Sequence, residues 1–163
     1  MKALFLRGIT FHEFIDKDAY QDKILDIYKN IMIEESLIKE IEEISKDIYV
    51  LVFAEIWCPD CMINVPALQK ISDLNQHIKI RIVPREGNEA YMENYKINGK
   101  PKIPTFVFMN GNFEEIGTFI EQPQIVKDVV AKGKQVDIIV VKRKYNKGEY
   151  AIETVREILN ILK

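Results

Sequence analysis

Residues 48–54 form an uninterrupted apolar run, Ile-Tyr-Val-Leu-Val-Phe-Ala, and this run constrains the fold more than any other segment. A short, continuous run rich in β-branched residues is typical of a central strand that is buried on both faces, as in a parallel sheet. Residues 58–74 then have the spacing of a helix, and residues 78–83 alternate apolar and basic side chains as a second strand does. The helix should turn four side chains inward: Cys61, Val65, Leu68 and Ile71.

A hairpin is predicted further along the chain. Residues 105–109 and 113–119 are two β-rich runs on either side of Asn110-Gly111. Asn-Gly between such runs favours a tight type I′ turn, because both residues tolerate positive φ. With a short helix near 89–95, this order indicates an α/β fold in which helices flank a central mixed β-sheet.

The segment before residue 48 is predicted to be helical. Asp18 could cap a helix with Gln21 three residues later. A second helix should cover about 34–45, with an acidic cluster that is either an interaction surface or, more simply, a solvated face. Residues 1–46 are thus expected to form an N-terminal helical extension of a single domain.

The C-terminal segment, 120–163, should also be mostly helical. Residues 123–145 fit one long helix containing Gly133, although 136–141 could instead be a strand. Periodicity favours the helix only slightly. Residues 149–162 form a clearer terminal helix with one apolar face. Residues 48–119, between the two helical segments, are therefore predicted to form the core of the domain.

Composition excludes several classes of protein. The net charge is −2, without the basic excess that nucleic-acid binding requires, and no apolar run approaches the roughly 20 residues that span a bilayer. The apolar stretch at the start stops at Arg7, short of the core of a secretory signal. We therefore expect a cytoplasmic protein with no nucleic-acid or membrane partner.

The chemistry of the chain is predicted to lie in Trp57-Cys58-Pro59-Asp60-Cys61, where the buried strand ends and a helix begins. Two cysteines three residues apart in a first helical turn lie on one face, close enough to form and break a disulfide. Cys58 is nearer the helix N-terminus, where free amides and the macrodipole favour a thiolate, so it should be the nucleophile. Cys61 should resolve the mixed disulfide. Pro59 suits the first helical position because it has no amide hydrogen to leave unpaired.

Two other interpretations of the cysteines agree less well with the sequence. Zinc requires four ligands, and the other candidates, His12 and His77, are neither paired nor near in sequence. Two inert, buried cysteines do not explain the strand–turn–helix context. We therefore expect no metal and no bound cofactor, only a redox-active Cys58–Cys61 disulfide.

These motifs resemble those of the thioredoxin superfamily over about residues 48–119. Members carry a tryptophan before the first cysteine, as Trp57 does, and often a proline eight residues after it, as Pro66 does. Ile103-Pro104-Thr105 is similar to the cis-proline loop that precedes the family's hairpin, and Gly117 matches a glycine late in its final strand. The helical extensions resemble those of some bacterial thioredoxin-like proteins.

The resemblance implies a substrate-binding loop at 103–105. Pro104, if cis, would lie against the cysteine pair, and the backbone of Ile103 would hydrogen-bond a substrate peptide beside Thr105. Trp57 would shape the rim. By itself, Pro104 could be an ordinary turn proline, because only about 5–6% of X–Pro bonds are cis, and Trp57 could simply pack in the core.

The sequence departs from the family at two places. Thioredoxins have Gly-Pro between the cysteines, whereas this chain has Pro59-Asp60. A carboxylate at Asp60 should disfavour a nearby thiolate and so favour the disulfide form of the pair, as in a reductant. Helix amides that compensate its charge would remove this effect. The family's proton acceptor, six residues before the first cysteine, is replaced by Val52. Glu55 or Asp60 could substitute for it, although Glu55 could equally be an exposed loop charge.

The predicted function is a thiol–disulfide oxidoreductase that reduces disulfides in cytoplasmic protein substrates. A reductase or a small thiol would recycle the cysteine pair. Two alternatives stay open at the level of sequence. One is a thioredoxin-fold interaction protein whose cysteines act as a redox switch, and the other is an oxidant or isomerase. The sequence does not identify the substrate, the electron donor or the oligomeric state.

Overall fold

A computed structural model describes residues 1–16 and 18–163. The strands are β1 (Ile48–Phe53), β2 (Ile78–Val83), β3 (Lys96–Ile97), β4 (Lys100–Pro101), β5 (Thr105–Met109) and β6 (Glu115–Ile120). The helices are α1 (Lys2–Arg7), α2 (Phe11–Ile15), α3 (Gln21–Asn30), α4 (Glu35–Glu42), α5 (Pro59–Leu74), α6 (Gln124–Lys132), α7 (Gln135–Asn146) and α8 (Ala151–Leu162). A 3₁₀ helix covers Glu89–Tyr95.

Four strands form one mixed sheet in the order β2-β1-β5-β6. β1 pairs with β2 in parallel and with β5 antiparallel, and β5 pairs antiparallel with β6. β3 and β4 form a separate small ladder. The α/β fold class with a central mixed sheet flanked by helices is confirmed.

The centre of the sheet is β1, as its apolar run predicts. Val50, Leu51, Val52 and Phe53 are fully buried because helices cover both faces of the strand. α5 crosses one face, and its predicted inward side chains, Cys61, Val65, Leu68 and Ile71, are all buried. This strand and helix fix the position of the cysteine pair.

The hairpin between β5 and β6 forms, but its turn differs from the predicted type I′. The amide of Phe113 donates to Asn110 at 2.9 Å, and the amide of Asn110 donates to Glu114 at 2.9 Å. The left-handed residue is Phe113, with φ 63°, rather than Asn110 or Gly111. The loop is therefore three residues long and ends in a bulge. Tertiary packing explains the change, because the Phe113 ring stacks on Tyr49 with centroids 4.2 Å apart.

The N-terminal segment is helical, as expected, but begins earlier than the sequence analysis proposed. α1 and α2 were not predicted, although Thr10 and Glu13 form a complete capping box at the start of α2. The predicted cap at Asp18 is wrong: α3 begins at Gln21 with no side-chain cap, and Asp18 accepts the Tyr20 amide at 2.9 Å. α4 also ends earlier than residue 45, at Glu42.

The outer edge of β2 is occupied. Ile9, between α1 and α2, exchanges two backbone hydrogen bonds with Ile82, at 2.9 and 2.8 Å. The carbonyl of Ile80 accepts from the Arg81 guanidinium at 2.8 Å, and the carbonyl of Ile78 accepts from the Ser72 hydroxyl at 2.6 Å. Ile9 and these two side chains therefore occupy the outward carbonyls of β2.

Residues 123–145, for which the sequence slightly favours one long helix, form two helices, α6 and α7. α6 ends at Gly133, which bonds back to the Val129 carbonyl at 2.7 Å before the chain extends and α7 begins. A side chain at Gly133 would place its Cβ 2.4 Å from that carbonyl, so the tight ending requires glycine. Residues 136–141 belong to α7, which decides between helix and strand.

α8 packs against both α5 and β6, and places the C-terminal segment behind the cysteine pair. No helix in the ranges 1–16 and 18–163 is long and apolar enough to cross a membrane.

Candidate active site

Cys58 stands at the junction between the sheet and α5. It is the N-cap residue of that helix, and Pro59 occupies the first helical position, as predicted. The amide of Cys58 donates to the Glu55 carbonyl at 3.1 Å, which fixes the turn between β1 and α5. The Cys58 sulfur therefore lies beside the free amides at the start of the helix.

The two thiols are unequal. The Cys61 thiol donates to Cys58, and together with the backbone amides of Cys61 and Asp60 this lowers the pKa of Cys58. Cys61 is fully buried, and this burial raises its pKa well above the ordinary value. The arrangement favours ionisation of Cys58 over ionisation of Cys61 behind it.

The predicted substrate loop lies directly against the pair. The Ile103–Pro104 bond is cis, as expected, and the Cys58 sulfur lies 3.6 Å from the Ile103 carbonyl oxygen. Thr105 is buried and its hydroxyl donates to the Lys102 carbonyl at 2.6 Å, so this side chain stabilises the loop from within. The amide of Glu121 donates to the Pro104 carbonyl at 2.8 Å and ties the loop to the end of β6.

Trp57 forms part of the rim. Its side chain is 52% exposed, which excludes the simple core role that the sequence left open. The Arg85 guanidinium lies over the indole ring, 5.8 Å from its centroid. A flat, half-exposed aromatic surface therefore borders Cys58.

Glu55 has a structural role in the turn beside the cysteines. Its carboxylate accepts the backbone amides of Arg85 at 2.9 Å and Glu86 at 3.1 Å. It thereby holds the loop after β2 against the end of β1. Val52, at the family's usual acid position, is fully buried.

Asp60 is partly buried against the C-terminal segment. Its carboxylate accepts from the side-chain amide of Gln122 at 2.9 Å. Burial raises the pKa of Asp60, while hydrogen bonding, chiefly from Gln122, opposes the rise. Asp60 in turn raises the pKa of Cys58 by charge repulsion, against the larger effect of the Cys61 hydrogen bond.

Behind Asp60 lies a buried polar cluster that the sequence analysis did not identify. Asn64, fully buried, has its amide nitrogen within hydrogen-bond distance of the Asp60 carbonyl, the Glu121 carbonyl and the Tyr145 hydroxyl, at 2.9, 3.0 and 2.7 Å. The Thr154 hydroxyl donates to Asn64 at 2.6 Å. One signal was available: an asparagine beside Val65 on the inward face of a helix needs polar partners.

Metal ligation finds no support in the part of the chain that the structure describes, where no three His, Cys, Asp or Glu side chains group together. The expectation that the protein needs no cofactor other than its own cysteine pair stays a prediction.

A cysteine at a helix N-terminus, a buried partner thiol and an adjacent cis-proline loop on a mixed sheet define a thioredoxin-like protein. The sequence profile of the family described as Thioredoxin matches residues 8–136. The chain belongs to this family, and at that coarse level it is of the thiol-oxidoreductase kind.

Two solved structures are similar over almost their whole length. A protein of unknown function from Pseudomonas aeruginosa has a TM-score of 0.84 and 24% identity, over 97% of this chain and 93% of that one. An HIV epitope scaffold has a TM-score of 0.83 and 23% identity, over 98% and 95%. Identities this low establish a shared fold alone. Among curated proteins, none matches the sequence significantly.

Proposed function

We propose that the protein is a thiol–disulfide oxidoreductase that reduces disulfides in protein substrates through Cys58 and Cys61. The observation that carries this proposal is the inequality of the two thiols. The pKa of Cys58 is lowered by a hydrogen bond from Cys61, whereas burial raises the pKa of Cys61. A nucleophile and a resolving thiol need this difference.

The exchange would take two steps. The Cys58 thiolate attacks one sulfur of a substrate disulfide, forms a mixed disulfide and releases the other substrate sulfur as a thiolate. Cys61 then loses its proton and attacks the Cys58 sulfur. This releases the second substrate thiol and leaves the Cys58–Cys61 disulfide. Two electrons pass from the pair to the substrate.

The loop beside Cys58 supports a peptide-like substrate. Ile103 and Pro104 lie next to the cysteine sulfur, and Trp57 offers an exposed aromatic surface on the other side. We propose that backbone groups of Ile103 bind the substrate in an extended form, as a strand binds its neighbour. Such binding is tolerant of sequence, because main-chain hydrogen bonds carry it.

Recycling would come from outside the chain. A single cysteine pair that has reduced one substrate must be reduced again, by a reductase or a small thiol, before it reacts with the next. A chain with two cysteines, too few for a disulfide scaffold, suits the reducing conditions of the cytoplasm.

A redox titration tests the proposal. The purified protein is equilibrated with defined ratios of reduced and oxidised glutathione or dithiothreitol, and the fluorescence of Trp57, the single tryptophan, is followed. We expect a reversible two-electron transition near about −270 mV, the region of reductases. A potential near about −180 to −120 mV would indicate an isomerase or an oxidant instead. The absence of a transition would show that the protein has the family fold but lacks a working redox pair.

Trapping separates an exchange enzyme from an interaction protein with a redox switch. In Cys61→Ser, Cys58 should accumulate mixed disulfides with substrate proteins, because nothing resolves them. The matched control is Cys58→Ser, which should form none. A partner that stays bound when both cysteines are replaced would favour the interaction protein.

A further inference from the structure

Glu121, directly after β6, has a left-handed backbone conformation with φ 68°. Residues with a side chain rarely adopt this conformation, because the Cβ atom crowds the backbone. They keep it where several contacts with the surrounding structure hold them in place. The contacts of Glu121 lead to the redox site on two sides.

The backbone of Glu121 joins the substrate loop, residues 103–105, to the first turn of α5. Its amide donates to the Pro104 carbonyl at 2.8 Å. Its carbonyl lies 3.0 Å from the side-chain nitrogen of Asn64, and the same nitrogen lies 2.9 Å from the Asp60 carbonyl. A line of hydrogen-bonding groups therefore runs from the loop, through Glu121, to a residue between the two cysteines.

The side chain of Glu121 contacts the same region from a second direction. Its carboxylate lies 2.8 Å from the ammonium group of Lys102, directly before the loop. The two side chains are 23% and 36% exposed, so solvent screens this ion pair only in part. Glu121 thus holds the chain at Lys102 and at Pro104.

These two contacts flank the residue that lies against Cys58. Ile103 stands between Lys102 and Pro104, and its carbonyl oxygen is 3.6 Å from the Cys58 sulfur. A substrate that binds to the backbone of Ile103 must place its disulfide within reach of this sulfur. The separation of the loop from α5 therefore decides whether bound substrate and nucleophile meet.

We propose that Glu121 is a positioning residue for substrate binding: its amide and its carboxylate hold the substrate loop at a fixed distance from the cysteine helix. This inference rests on the proposed exchange function and deepens it. Glu121 does not touch the reacting sulfurs. It acts through Lys102 and Pro104, on either side of Ile103.

The first test is a double-mutant cycle in insulin reduction. Glu121→Ala and Lys102→Met each break the ion pair, and each should raise KM about two- to fivefold, as expected for a pair near the surface, while kcat changes little. The double variant should be no worse than the poorer single variant, because both substitutions remove the same contact. An unchanged KM, or effects that multiply in the double variant, would overturn the proposal.

The second test follows the loop without a substrate. In Lys102→Met, residue 121 is unaltered, and NMR hydrogen exchange reports the amide that bonds to the Pro104 carbonyl. This amide should exchange about two- to fivefold faster than in the wild type, because the loop has lost one of its two contacts with Glu121.

A matched control comes from the start of β2. Lys79 pairs with Asp47 at 3.0 Å and is 43% exposed, close to the exposure of Lys102. Lys79→Met makes the same chemical change at the end of the sheet remote from Cys58 and should leave both KM and the exchange of the Glu121 amide unchanged. An exchange rate that stays the same in Lys102→Met, or that rises equally in Lys79→Met, counts against the proposal.

The two tests separate this role from the exchange function. If the wild type does not reduce insulin but Lys102→Met accelerates the exchange of the Glu121 amide, the proposed function fails while the anchoring of the loop by Glu121 stands. If the wild type reduces insulin and neither KM nor amide exchange responds, only the role of Glu121 fails.

Discussion

The two cysteine sulfurs of the site differ in their exposure to water and in the hydrogen bonds that they receive. Cys58 receives a hydrogen bond from Cys61 and lies at the start of α5, while Cys61 lies beneath it with no exposed surface. Two cysteines three residues apart thus differ in ionisation, which is favoured at Cys58 and disfavoured at Cys61. The order of the two exchange steps follows from this difference.

Replacing Asp60 by asparagine should make the pair less reducing. The carboxylate repels the Cys58 thiolate, so Asp60→Asn should lower the pKa of Cys58 and stabilise the reduced form. The potential should become less negative by tens of millivolts, since about 30 mV corresponds to about 1.4 kcal/mol. A redox titration measures it, and a more negative potential in the variant would contradict the prediction.

The same substitution should affect stability in a pH-dependent way. Burial raises the pKa of folded Asp60 above its unfolded value, so the folded state binds the extra proton and wild-type stability falls as pH rises through this interval. Asp60→Asn lacks this loss and should be at least as stable as the wild type at pH 7. Urea unfolding across pH 4–8 checks the difference, which should shrink as the pH is lowered.

Glu55→Gln should exchange disulfides at close to the wild-type rate. The amide side chain keeps an oxygen that accepts from the amides of Arg85 and Glu86, which is the role that the structure gives to the Glu55 carboxylate. Glu55→Ala, the matched variant, should lose about 1–2 kcal/mol of stability because two backbone amides lose their acceptor. Insulin reduction and urea unfolding measure the two effects. A tenfold lower exchange rate in Glu55→Gln would show that Glu55 takes part in the mechanism.

At the residue scale, local chemistry was predictable and long-range partners were not. The roles expected of Cys58, Pro59 and the cis bond at Pro104 depend on neighbours in sequence or on a family motif. The hydrogen bonds that Asn64 makes with Tyr145 and Thr154 join residues far apart in the chain. No periodicity or spacing reveals such partners, and only the folded chain brings α7 and α8 to Asn64.

At the scale of elements, Gly117 allows α8 to approach the sheet. A Cβ added to this residue of β6 would lie 2.5 Å from the Cγ2 methyl of Ile161 on α8. The glycine that matched a family feature in the sequence therefore has a local physical cause, the close contact between a strand and the terminal helix.

Gly117→Ala should destabilise the protein by about 1–3 kcal/mol through overpacking. In an Ile161→Ala background the clash is absent, and the same substitution should be nearly neutral. Thermal or urea unfolding of the four proteins in this double-mutant cycle measures the coupling. Equal effects in both backgrounds would show that α8 is not the obstacle.

The sequence predicts those helices and strands whose apolar pattern matches the face that the fold buries. β1, α5 and β2 follow directly from their apolar patterns. The turn after β5 was not predictable, because the stacking of Phe113 on Tyr49 places the left-handed residue outside the Asn-Gly pair. α1 and α2 were missed because helices of six and five residues are too short for a periodic signal.

At the scale of the whole molecule, the N-terminal helices belong to the same hydrophobic core as the sheet. Phe5 of α1 is 5% exposed and makes edge contacts with Tyr49 at 5.3 Å and Phe113 at 5.6 Å. The extension thus packs on the sheet at the end remote from Cys58. A single cooperative unfolding transition is the expected behaviour.

Phe5→Ala should therefore lower the stability of the entire chain, by about 3–5 kcal/mol, without changing the redox potential. Leu6→Ala is the matched control, because Leu6 is 66% exposed and its loss should change stability by less than about 0.5 kcal/mol. Circular dichroism and Trp57 fluorescence should report the same midpoint in each variant. Two separate transitions would show that the extension unfolds independently.

The occupied edge of β2 has a consequence for encounters between copies of the chain. Strand edges with free amides and carbonyls are templates on which another polypeptide can add as a further strand and begin fibrillar aggregation. On β2 the carbonyls of Ile78, Ile80 and Ile82 are already taken, by Ser72, Arg81 and Ile9. The link between α1 and α2, together with two side chains, therefore leaves an added strand few free acceptors on the outer edge of β2.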